Sequence, residues 1–512
     1  MDRMLLIGTD IGTSGTKTII MDSLGNLLAS SSKTYDVLTP HALWAEQHAN
    51  IWYEAVLYTI RNALASINYS PREIKGICIS GLYGGSGVPL DNQMQPVRPC
   101  LIWMDRRATD ESKWICETIG ADAIYEITHN GTDAYYGYTK MLWIKNNEPE
   151  NWNRISMFLP PNAYIIYRLT GEIAIDFSSA GNIGGVFDAA NRAWSKEMLD
   201  KLGIPFSMMP QRIVDSSDIV GGLTPSIAND LGLLPNTPVC AGGVDCVVAM
   251  LGLGVTQSGT FAATIGTSMS AALICNAKEG NHSKALIEMP YVKDPMLLSY
   301  VFGGAATAGA IIKWFRDTFG EWELDMEKNG GASAYQQLDA AAEKIAPGSE
   351  GLLVLPYFMG ERSPIWDTEA RGCILGLTLA HTKGHIYRAF LEAIAYSLLY
   401  LMESTNALGI QQVMMAGGAV KSKVWRQIFA DVLGREVICP KHDVEANIGD
   451  VLLAGIGTGV MTYDDFTSWQ IFDDPIKPNP EANEKYMKYY ALYRKLYLDV
   501  KESMHQLSAL AK

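Results

Sequence analysis

Three groups of residues in this sequence have types and spacings suited to chemistry. The first is Asp10-Ile11-Gly12-Thr13-Ser14-Gly15-Thr16-Lys17, set between apolar, β-rich runs at 4–8 and 16–21. Its glycines and hydroxyls suggest phosphate, but the pattern is not the P-loop G-x-x-x-x-G-K-[ST]. Gly12 and Gly15 stand too close together, and β-branched residues follow where a helix should open. The second group, Ile265-Gly266-Thr267-Ser268, repeats Ile11-Gly12-Thr13-Ser14 between apolar runs about half the chain later. The third is Asp245, placed between the pair Gly242-Gly243 and the apolar run Val247-Val248-Ala249-Met250-Leu251.

Two turns of this kind, each rich in backbone N–H groups and hydroxyls, describe a clamp for a nucleoside triphosphate. The first turn offers Thr13 and Ser14, Lys17 adds charge, and Gly266 and Thr267 supply the second. A triphosphate brings a metal, and Mg2+ prefers one or two carboxylates with waters and phosphate oxygens. Asp10, at the end of the first run, is the candidate ligand, with turn capping as its alternative. Asp245 is the candidate base that takes the proton when an alcohol attacks phosphorus, with N-capping of the following helix as its alternative. For a polyol substrate, Trp103, Asp105 and Arg106 of "LIWMDRR" offer an aromatic floor and fixed polar groups. An ordinary strand followed by a solvated turn is the other reading there. Tyr135 and Tyr136 suit sugar contact and core packing equally.

These residues need a scaffold. The stretch 50–67 has apolar residues at helical spacing and 74–80 reads as a buried strand; "KMLWIKNN" and "AYIIYRLTG" continue an α/β alternation. In "VMMAGGAVKSKVWRQIFADVLG" (413–434) a strand, Gly417-Gly418 and a helix run in order, which predicts a helix N-terminus facing the ligand. Residues 480–512 read as a terminal helix on the outside. At 512 residues the chain is too long for one ordinary core. The repeated turn predicts two domains, 1–255 and 256–512, facing one cleft. A net charge of −14 argues against a nucleic-acid partner, no run is long enough to span a membrane, and no signal peptide opens the chain. The eight cysteines show no metal-like spacing, which predicts free thiols in a cytoplasmic protein.

Together the motifs resemble those of the FGGY carbohydrate kinases, within the ATPase superfamily that includes actin, hexokinase and the heat-shock chaperones. The resemblance spans most of the chain. It includes the D-I-G-T-S hairpin, I-W-M-D-x-R, T-K-x-x-W (139–143), G-G-x-D, I-G-T-S, A-G-A-I-I-K-W, "LPYFMGERSPIWDTEARG" (355–372) and the late A-G-G. It implies an α/β fold of two RNase H-like domains about an interdomain cleft, with sugar held mainly by the first domain and MgATP by the second. It further implies Asp245 as catalytic base and Asp10 as the metal- and phosphate-associated acid. Thr13, Gly266 and Thr267 would then approach the β- and γ-phosphates, and Gly309, Lys313, Gly418 and Ser422 would line the nucleoside site. Lys313 stands where some members have glutamine. A homodimer is a family-level expectation.

The "LPYFMGERSPIWD" segment looks most like that of pentulose kinases, which favours D-xylulose as the sugar. Two positions that face substrate in the family depart from the xylulokinase pattern. Leu82-Tyr83-Gly84-Gly85 lacks a histidine, and Cys246 follows the acid where relatives have asparagine or glutamine. Other pentuloses, polyols, gluconate or a signalling dihydroxyketone remain open. An actin-like or chaperone-like ATPase is the rival class, and it would have no need of Asp245 beside a Trp103–Arg106 loop.

Overall fold

A computed structural model describes residues 3–82, 84–280, 283–441, 446–467, 469 and 471–511. The chain forms two compact units. The first comprises residues 1–258, 274–301 and 444–470; the second comprises 259–273, 302–443 and 471–512.

The first unit is built on a six-stranded sheet in the order Ile219–Gly222, Pro238–Cys240, Ile74–Gly81, Leu5–Ile11, Gly15–Asp22, Leu27–Thr34. Its three central strands are parallel and the flanking ones antiparallel. The central strands are apolar almost throughout because helices cover them. Trp52, Val56 and Ile60 of Ala49–Ala65 and Tyr164, Ile165 and Leu169 of Pro161–Thr170 join Ile7, Ile77 and Val239 in one core. The helix Ala446–Gly457 also belongs to this unit, although it comes from late in the sequence. It lies so close to the first strand that the Asn447 carbonyl leaves no room for a β-carbon on Gly8. In the same way, Gly449 meets the Val248 carbonyl of the helix Asp245–Gly252.

The second unit carries three parallel strands of another six-stranded sheet: Thr260–Ile265, Gln412–Ala416 and Glu436–Ile438. Its core joins Phe315 of Gly309–Phe319, Phe390 and Ile394 of Lys383–Ser404, and Phe429 of Lys423–Leu433. The terminal helix, Pro480–Leu510, corrects an expectation. It is not simply laid on the outside, because Tyr486, Tyr490, Tyr493 and Tyr497 share one face and are buried in this core. The charged residues between them had masked that stripe.

Candidate functional site

The three parallel strands of the first unit end together, and their carboxyl ends carry the chemistry-bearing residues. Asp10 lies near the end of its strand, opposite Lys17 on the hairpin partner and beside Ser80 on the parallel neighbour. Opposed residues of an antiparallel pair share a face, so Asp10 and Lys17 point the same way. The turn between them is tied down by side chains. Gly12 N donates to Gly15 O (2.9 Å), and the Tyr35 hydroxyl donates to Gly12 O (2.8 Å). Gln47 Nε2 donates to Thr13 O (2.7 Å), while Trp103 Nε1 donates to Thr13 Oγ1 (2.9 Å). Ser14 is exposed at the tip.

The Thr13–Trp103 bond joins two motifs that the sequence keeps far apart. Around Trp103 the substrate candidates divide. Gly84 sits at φ +85°, where a β-carbon would come within 2.7 Å of the Tyr135 ring and 2.9 Å of Trp103 Cβ. Trp103, Gly84 and Tyr135 are therefore packed together; Tyr136 is buried, and Tyr83 lies outside the described residues. Arg106 is half-buried and grips Asp133 through two contacts, of 2.7 and 3.0 Å. Asp105 differs from the expectation of a sugar contact. It is fully buried, and its oxygens accept from Ala45 N (2.7 Å), Arg107 N (3.1 Å) and the Arg107 guanidinium (2.7 and 2.9 Å). Its carboxylate is thus saturated by the chain it organises.

Asp245 is reached from the strand Pro238–Cys240 through Gly242 and Gly243. Gly81 N donates to Gly243 O (3.0 Å), and Val244 N donates to Ser178 Oγ (3.0 Å). Ser178 in turn donates to buried Asp176. Asp245 opens its helix at the first position and accepts from Cys246 N (2.6 Å). It is half-buried, and desolvation pushes its carboxyl up to about 6, suiting a base that ionises near neutrality. Cys246 beside it is half-buried, and burial followed by the Asp245 charge pushes its thiol up.

In the second unit the repeated turn is held by backbone. Gly266 N donates to Ser268 O (2.9 Å), Gly309 N to Gly266 O (2.9 Å), and Ala308 N and Ala310 N to Thr267 O (3.0 and 3.1 Å). A β-carbon on Gly309 would lie 2.5 Å from Gly266 O, so glycine is what lets the helix start approach the turn. Gly417, at φ +93°, makes the same kind of approach to Ile265 O, also at 2.5 Å, with Gly418 beside it. The helix after this glycine pair does not follow directly. A 3-10 turn, Gly418–Lys421, intervenes, and Ser422 caps the helix by accepting from Trp425 N (3.2 Å). Lys313 is exposed and paired with Asp317 at 2.8 Å. Gly266 and Thr267 are exposed.

Two buried ionisable residues escaped sequence reasoning. Lys140, within T-K-x-x-W, donates to Gly84 O (2.7 Å) and Tyr135 O, and burial pulls its ammonium down to about 7. Asp450 is fully buried beneath Ser80. Each is a charged residue type in a hydrophobic helical run, a signal that was readable.

Residues 5–252 match the N-terminal domain, and residues 261–458 the C-terminal domain, of the FGGY family of carbohydrate kinases. The chain belongs to this family. It is a carbohydrate kinase with ATP as phosphate donor, so the ATPase-switch alternative falls away. This FGGY kinase is 30 % identical over 512 residues to the xylulose kinase of Bacillus subtilis (strain 168), with 99 % of each chain covered. It is also 30 % identical over 468 residues to a gluconokinase of the same strain, covering 90 % of this chain and 89 % of the other. The crystal structure of xylulose kinase from Rhodospirillum rubrum matches with a TM-score of 0.88 at 27 % identity, covering 98 % of this chain and 100 % of that one. The two-domain α/β fold expected from the motifs is the family's. No helix among the described residues is long and apolar enough to cross a membrane.

Proposed function

We propose that this kinase phosphorylates a neutral ketose, D-xylulose first, with Asp245 as base and MgATP as donor. The observation that carries the choice of a neutral sugar is the Arg106–Asp133 pair. A gluconate carboxylate calls for a cation, and the two cations beside Trp103 and Tyr135 are already engaged: Arg106 by Asp133, and Lys140 by two carbonyls. What Trp103, Gly84, Tyr135 and Asp245 offer is an aromatic surface with neutral or accepting polar groups, which suits hydroxyls. The xylulose kinase names among the relatives point the same way.

In this reading the first unit recognises the sugar and the second the nucleotide. Asp245 accepts the proton of the attacking hydroxyl as its oxygen bonds to the γ-phosphorus; the bond to the β-phosphate oxygen breaks and ADP leaves. Among the described residues no group of three or more His, Cys, Asp or Glu side chains could hold a metal alone. The donor set at Asp10, one half-buried carboxylate beside a hydroxyl-rich turn, fits a hard cation that also takes phosphate oxygens. Mg2+ bound there would neutralise phosphate charge. Thr13, Ser14, Lys17, Gly266 and Thr267 would orient the phosphates.

The test is ADP release measured with D-xylulose, other ketopentoses, polyols and gluconate. The highest kcat/KM is expected for D-xylulose. A kcat/KM for gluconate about tenfold above that for every ketose would overturn the neutral-sugar assignment.

A further inference from the structure

The helix Ala446–Gly457 brings one carboxyl beneath the active end of the first sheet. Asp450 is fully buried in an otherwise apolar run, Val451-Leu452-Leu453-Ala454. An acid so placed is costly unless it is hydrogen-bonded. Its Oδ2 lies 2.8 Å from Ser80 Oγ, and its Oδ1 lies 3.6 Å from Cys78 Sγ. Ser80 Oγ also lies 3.3 Å from Asp10 Oδ1, so a single buried hydroxyl bridges two carboxyls.

A serine hydroxyl has one proton to give and two lone pairs to receive. It is placed to donate to Asp450 Oδ2 at 2.8 Å and to Asp10 Oδ1 at 3.3 Å, so the two carboxyls share one proton donor. Asp450 has no exposure, whereas Asp10 is half-buried at the end of its strand. The hydroxyl thus links Asp450 and Asp10 in one short chain. The helix is well seated, since Gly8 and Gly449 each admit a backbone carbonyl at close range.

We propose that Asp450, acting through Ser80, is a positioning residue for Asp10, fixing how that carboxylate is presented to the phosphate-bound cation. The proposal rests on Asp10 being the metal- and phosphate-associated acid. It gives Asp450 no contact with substrate; its effect is felt only through the hydroxyl it orders. Supporting groups behind a metal-binding side chain commonly matter in this way.

The test uses the full-length chain with Asp10→Asn, Ser80→Ala, Asp450→Ala and Asp450→Asn. Measured are kcat, sugar KM and the affinity for Mn2+ in the presence of ADP, read by electron paramagnetic resonance. Ser80→Ala and Asp450→Ala are each expected to lower kcat and Mn2+·ADP affinity by about 10–100-fold. Sugar KM should stay within about threefold, since sugar binding does not pass through Ser80. Ser80→Ala combined with Asp450→Ala should be no worse than Ser80→Ala alone, because both cut one path. Asp450→Asn, whose amide oxygen can still accept from Ser80, should recover most of the loss. If Asp450→Ala does not fold, Ser80→Ala and Asp450→Asn still decide. Normal kcat and Mn2+ affinity in Ser80→Ala, alongside a crippled Asp10→Asn, would overturn the positioning role while leaving the Asp10 reading intact. So would an Asp450→Asn variant as defective as Ser80→Ala. Normal behaviour of Asp10→Asn would remove the Asp10 reading and the proposal with it.

Discussion

The two I-G-T-S turns share a tetrapeptide but are held in different ways. In the first, three side chains from separate segments, Tyr35, Gln47 and Trp103, donate to Gly12 and Thr13. In the second, consecutive backbone N–H groups of Ala308, Gly309 and Ala310 donate to the carbonyls of Gly266 and Thr267. A turn braced by side chains is coupled to whatever those side chains also touch, and Trp103 touches the candidate sugar residues. A turn braced by a helix start is coupled to that helix and, through Ile265, to the Gly417 strand end. The first should therefore respond to the sugar and the second to the nucleotide alone.

The largest effect that would sharpen this contrast is on the chemical step, placed wholly on the first side. Asp245→Asn keeps the shape of the side chain and its position at the helix start. It should lower kcat by about 10²–10⁴-fold, the usual range for a lost general base. MgADP affinity, measured by calorimetry, should stay unchanged. A near-normal kcat would refute the assignment.

Next is the second turn. In Gly309→Ala a β-carbon meets Gly266 O at 2.5 Å, so the turn or the helix start must move. Overpacking of this kind costs about 1–3 kcal/mol. If the strain falls on nucleotide binding, MgADP affinity drops by about 5–150-fold, at 1.4 kcal/mol per tenfold. Sugar affinity, measured by fluorescence without nucleotide, should not change; an equal loss of sugar affinity would break the contrast.

How far each side was legible in the sequence follows from the same difference. Asp10, Thr13, Gly266 and Asp245 lie in short contiguous motifs whose residue types declare turns, phosphates and acids. The roles of Asp105 and Asp450 depend on partners from remote segments: Ala45 N for the first, Ser80 for the second. Nothing local in "IWMDRR" reveals that Arg107 and Ala45 will consume the Asp105 carboxylate. Gly309 was readable as a glycine of a nucleotide motif, but the reason for it, close approach to Gly266, exists only once the helix is docked. The strands and helices themselves were legible because their apolar periodicity is strong. The segments 274–301 and 444–470, which join the first unit after the chain has left it, carry no local sign of doing so.

The pH profile tests the first side without a mutation. Desolvation holds the Asp245 carboxyl at about 6, and the base works only when ionised. kcat/KM should thus fall about tenfold per pH unit below about 6 and level off above it, until another group titrates. A profile flat down to pH about 5, where an unperturbed carboxylate is still mostly ionised, would separate activity from a base held at about 6.

The smallest effect is the most direct probe of coupling within the first unit. Trp103→Phe keeps an aromatic surface beside Gly84 and removes the indole N–H that reaches Thr13 Oγ1. One neutral hydrogen bond is worth about 1 kcal/mol, or roughly fivefold. Where that factor falls is informative. If the bond only steadies the sugar face, sugar KM rises and kcat holds. If it carries sugar occupancy to the phosphate turn, kcat falls with KM little changed, because Thr13 is then poorly placed when the hydroxyl attacks. The second outcome is expected, since Gln47 and Tyr35 hold only the turn's carbonyls and Trp103 alone of the three reaches the Thr13 hydroxyl.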